Sequence, residues 1–265
     1  MARTYNPSVD TAQDPAVTKR ILAALAPIDG LRHRCETFNA LSALPPGSTA
    51  AGDAAMSTLL GVEPVRLAMV QVAYSLDHLV TWRHILTKGL QPVVAHMTLL
   101  RGSMEASVVA RWLVDPAVQP AERLARAAEW LREDYRLRRR VDELAKIKPV
   151  PPGKSAVDRI ADLDFEVANL ALRVLTKINL TDLFRKYSNR SGDVGEINYS
   201  ILSAFAHSRN WALLLQAAEK VGSGVAPGGA VMKTSANDTF ALAFTVHAVR
   251  TATLAVEDVG GLLAA

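Results

Sequence analysis

Apolar residues recur at intervals of three and four along most of the chain, and period-two alternation is scarce. That spacing is helical. Proline and glycine stand between the periodic stretches, where helix punctuation belongs. Asp14-Pro15 opens a first helix, as a side-chain cap followed by a proline in the first turn. The pattern carries it to about 44, with a break near 27–30. Residues 45–53, beginning Pro45-Pro46-Gly47, read as a loop. A second helix spans about 64–88, with Gly89 as its C-terminal cap. The third runs from Pro92 to Val114 and ends at Asp115-Pro116. The fourth covers about 120–148. Ser155 and Asp158 form a capping pair for a fifth, which the pattern takes to about 177. A short helix at 181–187 and a loop at 188–193 follow. The sixth long helix covers 195–221. A glycine-rich loop (222–229) and an open stretch with room for a brief extended segment (230–237) precede the last helix, 237–259. The fold class expected is all-α: a bundle of seven or eight mostly antiparallel helices. A flexible arm (1–14) precedes a single domain (15–265). The Pro-rich connector at 149–153 is the one internal boundary the sequence suggests.

Composition narrows this picture without naming a reaction. The chain has 265 residues, 49% hydrophobic and 21% charged. That excludes a disordered chain, a collagen and a disulfide scaffold. Cys35 is the single cysteine, so no internal disulfide forms and a reducing compartment is expected. His33 and Arg34 precede it, but it reads as a structural thiol. The start of the chain lacks an apolar leader segment. The most apolar long stretch, 239–265, is interrupted by His247, Arg250, Glu257 and Asp258 and reads as a core helix rather than a membrane span. The expectation is a cytoplasmic protein without a membrane partner.

The net charge of +4 comes from 30 basic and 26 acidic residues. The fourth helix concentrates charge, with nine basic and six acidic residues between Glu122 and Lys148. Glu122 and Arg126, Asp134 and Arg138, Arg138 and Asp142, and Arg139 and Glu143 stand four apart. Such pairs describe a solvated face laced with ion pairs. Leu124, Ala128, Leu131 and Tyr135 form the opposite, core-facing stripe. Arg136, Arg138, Arg139 and Arg140 are the residues with which a nucleic-acid backbone would be met.

Two other helices are so apolar that their few polar residues stand out. Val93, Val94, Met97, Leu99, Leu100, Met104, Val108, Val109, Trp112 and Leu113 leave the third helix almost no polar face. A helix apolar all round is a buried one. It nevertheless carries His96, Arg101 and Glu105, the last two one turn apart. Buried charges are tolerated when paired. On the sixth helix Tyr199, Ser203, His207 and Asn210 or Trp211 follow at spacings of three and four. Histidine is the side chain suited to general-base work near neutral pH, which makes His207 a candidate, and Ser203 lies one turn away. Glu105, Ser203 and His207 are therefore the candidate catalytic residues. His96, Arg101, Tyr199, Arg209, Asn210 and Trp211 are candidate ligand contacts. The two stripes are expected to face each other across a pocket at a helix–helix seam.

Common cofactor and nucleophile motifs are absent: no dinucleotide-binding glycine pattern, no P-loop, no H-E-x-x-H, no G-x-S-x-G. The Glu-x-x-His pairs of di-iron bundles are missing too. No metal or cofactor is expected. Asp77-His78 and His84 do not share a helix face, and His33 and His247 read as structural.

The segments His96-Met-Thr-Leu-Leu-Arg101-Gly-Ser-Met-Glu105, Arg111-Trp112-Leu-Val-Asp115-Pro116 and Tyr199-Ser-Ile-Leu-Ser203-Ala-Phe-Ala-His207 resemble signatures of uncharacterised helical proteins of actinobacterial type. The likeness covers about 96–211. The helical core further resembles HEPN-like domains, which implies a homodimeric bundle and a stress, defence or regulatory setting. Active ribonucleases of that kind carry an arginine, a neighbouring polar residue and a histidine four to six residues on. Arg209-Asn210 matches the first two, but Leu214, Leu215 and Gln216 occupy the region where the histidine belongs, and His207 precedes the arginine.

Three functions remain open at this stage. The first is a dimeric regulatory bundle with a polar pocket between the third and sixth helices. The second is a cofactor-independent enzyme of specialised metabolism, with His207 as base and Arg101 as anion clamp on a small molecule. The third is a nucleic-acid binder using Arg138–Arg140.

Overall fold

A computed structural model describes residues 14–56, 63–90, 92, 94–146, 154–175, 178–188, 193–207, 209–213, 217–223, 230–235 and 238–264, without the side chains of 193, 194, 210, 213, 217–223 and 230–235. The expected arm at 1–13, the connector at 149–153, the turn at 189–192, Leu214 to Gln216 and the loop tip at 224–229 lie outside the described residues. The described elements run, in order, α1 (Pro15–Ala24), α2 (Ile28–Asn39), α3 (Thr49–Met56), α4 (Pro64–Thr87), α5 (Ala95–Leu113), α6 (Pro120–Ala145), α7 (Ala156–Asn169), α8 (Leu180–Tyr187), α9 (Asp193–Ala206), α10 (Asn210–Leu213), β1 (Ala217–Ser223), β2 (Ala230–Ser235) and α11 (Asp238–Leu263). The class is an all-α bundle. Among the described residues the one extended piece is an antiparallel hairpin pairing Ala217 with Ser235 and Ser223 with Ala230, with an irregularity between Lys220 and Gly222.

The apolar third helix of the sequence is α5, and it lies at the centre. It packs along α4 and α11, with α9 and α8 on its remaining side. Met97, Leu100, Met104, Val108 and Leu113 are fully buried there. Small side chains let α4 approach closely. The Ser75 hydroxyl lies 2.9 Å from that of Ser103 and 2.7 Å from that of Ser107, so three buried hydroxyls satisfy one another. Across the other contact, the Trp82 indole donates to Thr245 Oγ1 at 3.0 Å, tying α4 to α11. α11 has the length and apolar content to cross a membrane, yet 13 of its side chains are buried in the bundle.

Helix ends follow local chemistry. Asp14 Oδ1 accepts from the Ala16 N–H at 2.8 Å, and the Ser155–Asp158 capping box is complete. Gly89 takes a left-handed φ of +69° after α4, where the Leu90 N–H returns to the Ile85 carbonyl.

Five expectations need correction. The break after the first helix falls at 25–27, earlier than 27–30. The loop expected at 45–53 contains α3, because Ser48 Oγ accepts from the Ala51 N–H at 3.2 Å and starts a turn in alanine-rich sequence. The fifth helix, α7, stops at Asn169 rather than 177. There Ala171 turns left-handed (φ +48°) and the Leu172 N–H closes onto the Val167 carbonyl, burying Leu172. The sixth helix does not continue to 221. The Arg209 N–H reaches back to the Ala204 carbonyl at 2.9 Å, the long bond that seals a helix C-terminus, and residues expected in that helix form α10 and β1 instead. The last helix continues four residues beyond 259. The described helices therefore number eleven rather than seven or eight, several of them short.

Gly195 sets the spacing of α8 and α9. A Cβ there would lie 1.6 Å from Ser188 Oγ and 2.5 Å from the Phe184 carbonyl oxygen. Only a glycine permits that approach.

Candidate functional site

The seam between α5 and α9 holds two of the three polar residues that the sequence singles out on the third helix, Arg101 and Glu105. Arg101 Nη2 lies 2.8 Å from Glu105 Oε1, one turn along α5. The Arg101 guanidinium sits 5.7 Å from the centre of the Tyr199 ring, on α9. Tyr199 in turn stacks on Phe184 of α8, with ring centres 4.3 Å apart. Three elements thus converge on one ion pair whose side chains keep 18% and 27% of their exposure. The pair is close but poorly aligned. Arg101 Nε and Glu105 Oε1 are both buried, and neither has a hydrogen-bond partner among the described residues. The 2.8 Å contact supplies charge proximity without a directed hydrogen bond to that oxygen. Unsatisfied buried polar atoms are costly, at about 1–3 kcal/mol each.

His96 is elsewhere. Its ring stacks on Trp82 of α4 with centres 5.0 Å apart, and Nδ1 lies 2.8 Å from the Pro92 carbonyl oxygen. Burial pushes its pKa down from 6.5 to about 4, against the smaller upward pull of the Pro92 hydrogen bond and the Asp238 charge. The ring is therefore neutral in the folded protein at neutral pH. In the unfolded chain it takes a proton near pH 6.5. The unfolded state binds more protons between those values, so stability falls as pH drops from about 6.5 to about 4 and is level in this respect below. The His96 contribution to that fall is about 3 kcal/mol. His96→Phe will remove it, as unfolding free energies measured by urea titration at pH 7, 5.5 and 4.5 will show. His247 of α11 contributes in the same direction, its pKa lowered by burial and by the Arg250 charge.

The remaining candidates on the sixth helix lie at or beyond the end of α9. Ser203 is half-buried. His207 is exposed where the helix stops, and its backbone N–H donates to the Ser203 carbonyl. Among the described residues, no hydrogen bond holds the His207 ring against the Ser203 hydroxyl. Arg209 is exposed after that end, Trp211 is exposed on α10, and the Asn210 side chain is outside the described residues. Of the stripe, Tyr199 is the member that contacts Arg101.

Sequence reasoning missed the larger polar cluster, where α3, α6, α8 and α11 meet the end of α5. Arg123 and Asp53 form a buried two-pronged pair, with Nε–Oδ2 at 2.6 Å and Nη2–Oδ1 at 2.8 Å. The Arg126 guanidinium donates to the Trp112 carbonyl at 2.8 Å and to the Tyr187 hydroxyl at 3.1 Å, and it covers the Trp112 ring. The Tyr187 hydroxyl donates to Asp115 Oδ2 at 2.7 Å. Burial works to raise the Asp115 pKa, but hydrogen bonds from Tyr187, the Ala117 N–H and Lys186 outweigh it and hold the carboxyl below its ordinary value. Arg111 binds Asp258 of α11 at 2.7 Å and also donates to the Tyr187 carbonyl. The Arg111-Trp112 and Asp115-Pro116 signature is thus a structural junction. The solvated-face expectation for the fourth helix fails over its first half, where Arg123, Arg126, Glu129 and Arg132 are buried. The expected Glu122–Arg126, Arg138–Asp142 and Arg139–Glu143 pairs form at 3.2, 3.7 and 3.5 Å. The Arg123–Asp53 pair is visible only with α3 recognised, since that helix supplies the carboxylate.

A cavity of about 500 Å³ opens between α6 and α7, lined by Arg132, Arg136, Glu129 and Asp164 over Val167 and Leu175. Burial works to lower the Arg132 pKa, but Asp164 and Glu129 together raise it. Among the described residues, no three His, Cys, Asp or Glu side chains gather as a metal site.

Comparison with protein-family models, with curated proteins and with solved structures gives no match to this chain.

Proposed function

We propose that this chain is a regulatory helical-bundle protein that binds a small polar molecule at the α5–α9 seam. The observation that carries the reading is a partly exposed ion pair that keeps two buried atoms without hydrogen-bond partners, Arg101 Nε and Glu105 Oε1. A ligand that accepts from the first and donates to the second satisfies both. The Tyr199 ring beside the pair favours a planar group. A primary carboxamide or the amino–imino edge of a nucleobase has that pattern. The Ser203 and His207 roles in the enzyme reading have less support, since His207 is exposed at the end of its helix. The nucleic-acid reading has less support, since Glu133, Asp134, Asp142 and Glu143 stand among Arg136, Arg138, Arg139 and Arg140 on the same half of α6. The HEPN-like core, the homodimer and a cytoplasmic stress, defence or regulatory setting complete the proposal.

The test is a thermal-shift series with nicotinamide, benzamide, cytosine and isocytosine. At a hundred times the dissociation constant a bound ligand adds about 2.7 kcal/mol, so a melting shift of about 5–10 °C is expected for at least one of them. Glu105→Gln, which loses the charge and half the acceptor capacity, will reduce that shift. A wild-type protein whose melting none of the four compounds moves contradicts the reading.

A further inference from the structure

The second half of α6 carries an apolar stripe that its own bundle does not cover. Leu137, Val141 and Leu144 retain 59%, 57% and 77% of their exposure. They are spaced by four and three. The row runs back through Trp130, seven residues before Leu137, to Ala127, which is buried in the main core. The stripe is thus the bundle-facing side of α6, continued past the bundle in heptad order. Large apolar side chains so exposed, in one row, mark an interaction surface.

The charges beside the stripe say what covers it. At 3.6 residues per turn, Glu133 and Arg140 border one edge, and Asp134 and Arg138 border the other. Both edges run from acid to base along the chain. Asp134 and Arg140 have no ion-pair partner among the described residues, so the expected Asp134–Arg138 pair does not form, and Glu133 has an exposed 3.4 Å contact with Arg136, of little energy. Arg138 is exposed and 3.7 Å from Asp142, a contact of little energy. An edge of this kind is complementary to itself when reversed. A second copy turned antiparallel about Leu137 sets Glu133 opposite the other copy's Arg140 and Asp134 opposite its Arg138. Two-fold symmetry makes each pair twice. It also sets Trp130 against Leu144. A parallel copy would place like charges together, and a nucleic acid or acidic helix would meet Glu133 and Asp134.

We propose that the 130–144 face of α6 is a self-association surface that takes a second copy of this chain antiparallel, about a two-fold axis at Leu137. The proposal deepens the dimeric part of the reading above and does not depend on the seam ligand.

Sedimentation equilibrium on the full chain tests it, with Leu137→Asp, Arg140→Glu and the charge exchange Glu133→Arg/Arg140→Glu. A wild-type dimer is expected. Leu137→Asp will weaken it about thirtyfold, as loss of a central apolar contact does. Arg140→Glu will weaken it about fivefold, and the exchange will return it to within about twofold of wild type. Circular dichroism will match wild type in each case, since the altered side chains lie on the outer half of α6. A wild-type chain that stays monomeric overturns both the surface and the dimeric reading. A wild-type dimer unaffected by Leu137→Asp overturns the surface alone, and an exchange that fails to recover overturns the antiparallel arrangement.

Discussion

Asp53→Ala will lower the unfolding free energy by about 3–5 kcal/mol, because it leaves the Arg123 guanidinium buried without its carboxylate. Arg123 is 2% exposed, so water cannot replace the lost partner. Its remaining acceptors are carbonyls, at Val118 and, more distantly, Asp115. The consequence extends beyond one pair, since Asp53 is what joins α3 to α6. Urea denaturation monitored by circular dichroism measures the loss. Replacing both partners together, Asp53→Leu with Arg123→Met, will recover most of it. An isolated charge costs far more than an absent pair. A single variant within about 1 kcal/mol of wild type would mean that the pair is not buried as described.

Trp82→Ala will cost a similar amount, about 3–5 kcal/mol, through the cavity it leaves. Trp82 is the largest side chain with no exposed surface. Its indole N–H is the donor to Thr245, and its ring is the surface against which His96 stacks. Trp82→Phe keeps most of the volume and loses the N–H, so it separates the two contributions. It will cost about 1–2 kcal/mol, the value of a buried hydrogen bond with its partner left behind. Thr245 keeps its own bond to the Ala241 carbonyl, which limits that second term. Chemical denaturation of the two variants side by side checks the order.

Helix interiors were legible where one face or all faces are apolar. The boundaries of α4 and α8 fall within one residue of expectation, since Pro64, Gly89 and Asn179 mark them locally. The missed boundaries share a cause. α7 and α9 end in closing bonds at Ala171 and near Arg209, where no glycine or proline signals the stop. α3 was hidden because Pro45-Pro46-Gly47 dominates its approach, while its cap is a single serine hydroxyl. The pairing of Arg101 with Glu105 was legible from spacing alone, and of the stripe on α9 it is Tyr199 whose ring lies against Arg101. Four-residue spacing could not show where α9 ends, so His207 and Trp211 were placed on a stripe that stops short of them. Nor could it show that the arginines of early α6 turn inward, because the carboxylates that draw them in come from outside the helix: Asp115 just before it, and Asp53 and Asp164 far away in sequence.

The two polar regions make opposite statements about function. The Arg123 and Arg126 cluster is buried and hydrogen-bonded throughout, which is how a structural junction is built. The Arg101–Glu105 pair is partly open and leaves two atoms unsatisfied, which costs stability unless something else completes it. Arg101→Met/Glu105→Leu keeps the volume of the pair and removes its polar atoms. Its melting temperature, with and without the carboxamide or nucleobase that shifts wild type, shows whether the Arg101–Glu105 pair is a ligand site. The ligand-free variant will be at least as stable as wild type, and the ligand-induced shift will disappear. A variant that loses several kcal/mol, or one that still responds to the ligand, would show that the pair serves the fold and that the seam is not the site.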